Sequence, residues 1–159
     1  MIQAIFQESL TDRMGRGRLP LAKALRYATQ VAACLRDLHR QGLVYGAVSS
    51  QLILLGPRGA TLRNSGTSAQ LGDPRRDVAA FGAVLSEILR RVEGPERLCA
   101  EIQSLALLCQ DQTVDMRQAL IGLRLLGLQA EQITAAARRL AKRPRGSGRL
   151  SAVPALSGK

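Results

Sequence analysis

The sequence predicts a mainly helical fold with one small β-hairpin, and three observations lead there. Apolar residues recur at three- and four-residue steps over long stretches, as one buried helix face requires. Aromatics make up only 3% of a chain that is 46% apolar, so the core must be built from leucine, alanine, valine and isoleucine. A Gly-Pro-Arg-Gly corner joins the short apolar runs "LILL" and "ATLR", and its glycines and proline supply turn dihedrals. At 159 residues the chain suits one domain with a real core.

The elements follow in order. "SLTDRM" reads as a short helix with Ser9 or Thr11 as its cap, and "GRGR" as the loop after it. Leu21, Ala24, Leu25, Ala28, Val31, Ala32, Leu35 and Leu38 then mark one face of a helix of about twenty residues. Pro20 stands near its start and Gly42 follows its end as a left-handed cap. Strands are expected at 43–46, 51–55 and 60–63, and "SGTSAQLGDPRR" is loop by composition. A second long helix is expected from about Asp77, and a third after Pro95. A fourth spans "TVDMRQALIGLRLLG", capped by Thr113 or Asp115 and stopped by Gly127. "QAEQITAAARRLAKR" makes a fifth, with Ile133, Ala136, Ala137, Leu140 and Ala141 on its apolar side. Residues 144–159 lack periodicity and are expected to be a disordered basic tail.

Charge is spread unevenly. The net charge is +11, of which residues 138–159 carry +7 without a single acid. Arg138, Arg139, Lys142, Arg143, Arg145 and Arg149 are therefore the candidates for meeting an anionic partner. Arginine supplies 20 of the 23 basic residues, a bias that can also arise from codon usage alone. Cys34, Cys99 and Cys109 lie inside helical patterns, there is no CxxC, and His39 is the single histidine. Free thiols in a reducing compartment fit this better than a zinc site, which needs four suitably spaced ligands. No apolar run reaches the length of a membrane span, and the first residues lack the order of a signal peptide. A cytoplasmic location is expected.

This order of elements resembles the C-terminal lobe of eukaryotic-like serine/threonine protein kinases, particularly bacterial ones. "ESLTDRMGRGRLPLAKALRYATQVAACLRDLHRQGLVYGAV" is similar to that family's stretch from hinge to catalytic loop. The family continues with His-Arg-Asp-Leu-Lys-Pro-x-Asn-Ile-Leu-Leu. Laid on without a gap, this puts Tyr45 at the histidine, Gly46 at the arginine, Ala47 at the aspartate, Ser49 at the lysine and Leu52 at the metal-binding asparagine. "LRNSG" resembles Leu-x-Asp-Phe-Gly, with Asn64 at the magnesium-binding aspartate, Ser65 at the phenylalanine and Gly66 retained. "RRDVAAFGAVLSEIL" is close to the family's next helix, with Asp77 and Gly82 in place. The likeness covers roughly residues 7–128.

The resemblance implies a kinase-like lobe, α+β by family, without the chemistry. Phosphoryl transfer needs positioned metal ions, a lysine on the phosphates and a base near the acceptor hydroxyl. Ala47 accepts no proton, Leu52 binds no cation and Asn64 carries no charge for magnesium. Active members use ATP and magnesium; no cofactor and no metal are expected here. The scaffold residues His39, Gly42, Gly66, Asp77 and Gly82 remain, and Asp77 is expected to hydrogen-bond the backbone of the altered loop, as its family counterpart does.

Residues 1–128 are accordingly read as the lobe, 129–143 as a basic amphipathic helix and 144–159 as the tail. Three functions compete. The first is an inactive, kinase-like module that binds a protein partner or itself; with no N-terminal lobe, the cleft-lining surface Leu43 to Leu55 is expected to be covered by a partner, by self-association or by the tail. The second is nucleic-acid binding through the C-terminal helix pair, joined by a turn at Gly127, together with the arginine-rich end. The third is the remnant of a longer kinase gene with Met1 an internal start.

Overall fold

In the computed structural model, which describes residues 7–46, 48–64 and 69–143, the other elements are arranged around the helix α2 (Leu21–Arg40). All eight apolar residues of its predicted face are buried. It ends where Gly42 adopts φ +74°, a left-handed conformation that glycine enters without a Cβ penalty. There the Gly42 N–H donates to the His39 carbonyl at 3.0 Å. Before it, α1 (Leu10–Gly15) is capped by Ser9, whose hydroxyl accepts from the Asp12 N–H at 3.1 Å.

Among the described residues the helices alternate with a set of very short strands: β1 (Glu8–Ser9), β2 (Leu19–Pro20), β3 (Leu43–Val44), β4 (Ile53–Gly56), β5 (Gly59–Leu62), β6 (Gln70–Leu71) and β7 (Val92–Glu93). The later helices are α3 (Pro74–Leu89), α4 (Glu96–Gln110) and α5 (Met116–Lys142). Strands β1, β4 and β5 form an antiparallel three-stranded sheet; β2 pairs with β7 in parallel, and β3 with β6 antiparallel. The hairpin turns at Pro57 and Arg58, between the paired Gly56 and Gly59, as the Gly-Pro-Arg-Gly corner predicts. Gln30 of α2 holds it from below. Its amide nitrogen donates to the Arg58 carbonyl at 3.2 Å, and its oxygen accepts from the Ala60 N–H at 2.8 Å. The core lies between α2, α3, α4 and α5, where Ala32, Leu35, Phe81, Ala106, Ala119 and Leu123 have no accessible surface.

The structure corrects several expectations. The strand expected at 43–46 stops at Val44, because the Tyr45 N–H leaves the ladder to meet a carboxylate. Gln51 belongs to a 3-10 turn, Ser50–Leu52, rather than to a strand. Helix α3 starts at Pro74, not near Asp77: Asp73 caps it by accepting from the Arg75 N–H, and Pro74 sits where a missing N–H costs nothing. The stretch 43–55, expected to need an outside cover, has its described apolar side chains packed within the fold. Val44, Tyr45, Val48, Ile53 and Leu55 are buried, and Leu43 and Leu52 are half-buried.

The largest correction is α5. Residues expected as two helices form one, which starts with Asp115 in a reciprocal capping box with Gln118 and runs through Gly127 to Lys142. The expected boundary between 128 and 129 falls inside it. A single glycine costs a helix only about 1 kcal/mol relative to alanine, too little to stop one whose apolar seam continues unbroken. That seam repeats every seven residues: Ala119, Leu126, Ile133 and Leu140, with Leu123, Ala130 and Ala137 between. Up to Ala130 it is buried; from 131 to 143 every residue is exposed. No helix among the described residues is long and apolar enough to cross a membrane. Cys109 is buried, while Cys34 and Cys99 are half-buried. Burial pushes the Cys109 thiol up to about 11, which keeps it protonated and unreactive near neutrality.

Two glycines should respond in opposite ways to alanine. A Cβ on Gly82 would stand 2.6 Å from the Ala106 carbonyl oxygen and 2.9 Å from the Gln110 nitrogen, both backbone atoms of α4. Gly82→Ala is expected to destabilise the fold by about 1–3 kcal/mol through overpacking. Gly127 has nothing within 4 Å of the same position and no left-handed backbone, so Gly127→Ala should add about 0.5–1 kcal/mol. Urea denaturation at neutral pH measures both, and a loss at Gly127 would mean that the helix breaks there.

Candidate functional site

The loop after β3 is held by one side chain from a helix over thirty residues away. Asp77, in the first turn of α3, is 1% exposed and points into the turn that follows Val44. Its Oδ2 accepts from the Tyr45 N–H at 2.7 Å, and its Oδ1 accepts from the Gly46 N–H at 2.8 Å. The Nε2 of His39, from the last turn of α2, lies 2.9 Å from Oδ2. Burial raises the Asp77 carboxyl, but hydrogen bonds from His39, Tyr45 and Gly46 lower it further, and it titrates below the ordinary aspartate value. A carboxylate in this position satisfies two backbone donors that the loop cannot pair with a strand.

Tyr45 completes the frame. Its ring is buried, and its hydroxyl donates to the Arg63 carbonyl at 2.7 Å, which ties the loop to the end of β5. Burial is the main reason that this phenol is raised above its usual range. Gly46 has φ +87°, a conformation costly for any other residue at this point of the turn. Asn64 follows β5 with φ +53°, a left-handed backbone that asparagine tolerates better than most.

The remaining expected positions divide clearly. Ser49 is half-buried and precedes the 3-10 turn without capping it through its side chain. Leu52 is half-buried against the core, and its backbone bonds Ser49 and Arg63. Gly82 lies on α3 against the backbone of α4 at Ala106 and Gln110. The structure brings His39, Tyr45, Gly46 and Asp77 together, while Arg138, Arg139, Lys142 and Arg143 stand exposed on the last turns of α5, apart from the loop. Ala47, Ser65, Gly66, Arg145, Arg149 and the expected tail lie outside the described residues.

One group carries no sequence signal. Ser50, 5% exposed, donates from Oγ to Glu87 Oε1 at 2.9 Å and lies 2.8 Å from Thr11 Oγ1. A serine hydroxyl has one proton, so Thr11 must be the donor in the second contact. This chain ties α1, the 3-10 turn and α3 together. Its members are separated by 37 and 39 positions and share no spacing signal, so only the fold could reveal them.

Chemically, the arrangement positions the backbone of the loop through the Asp77 carboxylate. The two ionisable side chains nearest the loop, His39 and Asp77, are engaged with each other and with main-chain donors. Among the described residues no group of three or more histidine, cysteine, aspartate or glutamate side chains could hold a metal ion.

Asp77→Asn should cost about 2–4 kcal/mol, because the amide turns an N–H₂ group toward donors that need an acceptor. The pH dependence has a definite sign. A folded-state value below the ordinary one means that the stabilisation is present above about pH 3.9 and is lost as pH falls through the lower folded value. Denaturant midpoints measured from pH 6 downwards should therefore fall more steeply below that point for the wild type than for the variant. Comparison with known protein families finds no family model that matches this chain, and comparison with curated proteins finds no match.

Proposed function

We propose that the chain is a catalytically inactive lobe of the serine/threonine protein kinase type that acts by binding a protein partner. The observation that carries this reading is the Asp77 carboxylate, which holds the Tyr45 and Gly46 amides and His39 around a loop with no base or metal ligand at the matching positions. A buried charge is costly, and here it supports a loop geometry more elaborate than a plain hairpin connection needs. The order of elements adds support: a long helix, a loop, a hairpin, then a helix that reaches back to the loop. In this reading Leu52 and Asn64 stand where cations would be held, and ATP and magnesium are not used.

The partner surface is not the cleft side, which the chain buries itself. Large exposed apolar residues lie on the helices instead: Leu107 and Leu108 on α4, and Ile121, Leu125 and Leu128 on α5. Exposed apolar side chains on these two helices suit a protein contact, either with a partner or with a second copy. Incubation with γ-labelled ATP, magnesium and a basic acceptor protein is expected to transfer no label. Magnesium-dependent transfer that disappears with Asn64→Ala would overturn the reading.

A second reading is favoured by one observation. Arg138, Arg139, Lys142 and Arg143 are all exposed on the projecting end of α5, beyond the last acid, Glu131. This is a basic stripe of the kind that meets nucleic-acid phosphates, although it no longer has a helix-turn-helix to carry it. Under it, duplex DNA affinity should fall steeply with salt, with a slope of about −0.9 per phosphate neutralised. Removing 138–159 should abolish the binding, and retained binding would exclude the stripe.

A further inference from the structure

Away from the loop, a cavity of about 540 Å³ opens between the C-terminal end of α2, the start of α3 and the start of α5. Its size is that of a small-molecule site. Arg40, Arg75 and Arg117, one from each of the three helices, line it, and their guanidiniums make no hydrogen bond or ion pair with any described residue. A fourth, Arg36, also lines the cavity but is engaged by Asp37 at 2.9 Å. Among the described residues of the lining the single carboxylate, Asp115, is occupied as the cap of α5. Between the arginines, Pro74, Val78 and Val114 supply an apolar floor.

Like charges gathered on one concave wall raise its potential and draw an anion. Guanidinium is the side chain best matched to a phosphoryl group, through paired N–H donors. We propose that this cavity binds a small organic phosphate, with the phosphoryl group on Arg40, Arg75 and Arg117 and an apolar body on Pro74, Val78 and Val114. The site is independent of the altered loop, yet His39 also lines it while bonding Asp77. Occupancy is therefore felt at the residue that helps hold the loop.

His39 is the only histidine in the chain, so its imidazole resonances report on this one place. In titrations of the whole chain, phenyl phosphate is expected to shift them saturably, about tenfold more tightly than inorganic phosphate, because only the first has a body for the floor. The triple variant Arg40→Ala, Arg75→Ala, Arg117→Ala should weaken phenyl phosphate at least tenfold. These side chains are exposed and make no hydrogen bond or ion pair with a described residue, and unchanged circular dichroism verifies the fold. A second variant, Arg138→Ala, Arg139→Ala, Arg143→Ala, should bind as the wild type does. The proposal is overturned if the shift does not saturate, if the two ligands bind equally, if the cavity variant binds normally, or if the α5 variant loses binding.

Discussion

Three hydrogen bonds converge on the Asp77 carboxylate, and the arrangement of the loop depends on them. An aspartate that is 1% exposed can keep its charge only if its oxygens are well supplied with donors. Here the donors come from two elements at once, the turn after β3 and the end of α2. Each is thereby fixed relative to α3. The carboxylate is a joint rather than a decoration, and it gives the loop one defined path in place of several. That rigidity serves recognition as readily as catalysis, since it presents a constant backbone whichever side chains occupy the turn.

The polar chain of Thr11, Ser50 and Glu87 repeats the device at the start of the 3-10 turn. Between them the two sets anchor the start and the end of the segment that joins β3 to β4. Apolar packing completes the work: Tyr45, Val48 and Ile53 enter the same core as Leu35 and Phe81. A loop pinned by polar contacts at both ends and by apolar side chains in the middle is part of the folded body, not an appendage to it.

Much of this was legible in the residues. The eight-residue apolar face of α2, its glycine stop, the Gly-Pro-Arg-Gly turn and the Asp115 cap are local signals, each readable within a few positions. Asp77 was legible as a loop-holding residue only through the family resemblance, and its hydrogen bonds agree with that expectation. What failed was punctuation. Gly127 looked like a stop because glycine often is one, but the heptad seam passes through it in phase, and the periodicity was the stronger signal. Asp73 and Pro74 looked like loop because polar composition surrounds them, although the pair is a good helix start. The burial of Val44, Ile53 and Leu55 and the Ser50 contacts depend on long-range packing, which no window of sequence contains.

The outer part of α5 has a thermodynamic consequence of its own. Residues 131–143 bury nothing, and a free peptide of that length would hardly be helical in water. Attached to a helix already nucleated by the core, they extend it by propagation, which is far less costly than starting anew. At about 1.5 Å per residue the extension reaches roughly 20 Å beyond the packed body. Whatever docks there meets a surface already ordered at its root and increasingly frayed toward its tip. Binding near the root therefore forfeits little chain entropy, whereas binding at the tip must first arrest the fraying, so one helix offers a graded series of affinities along its length.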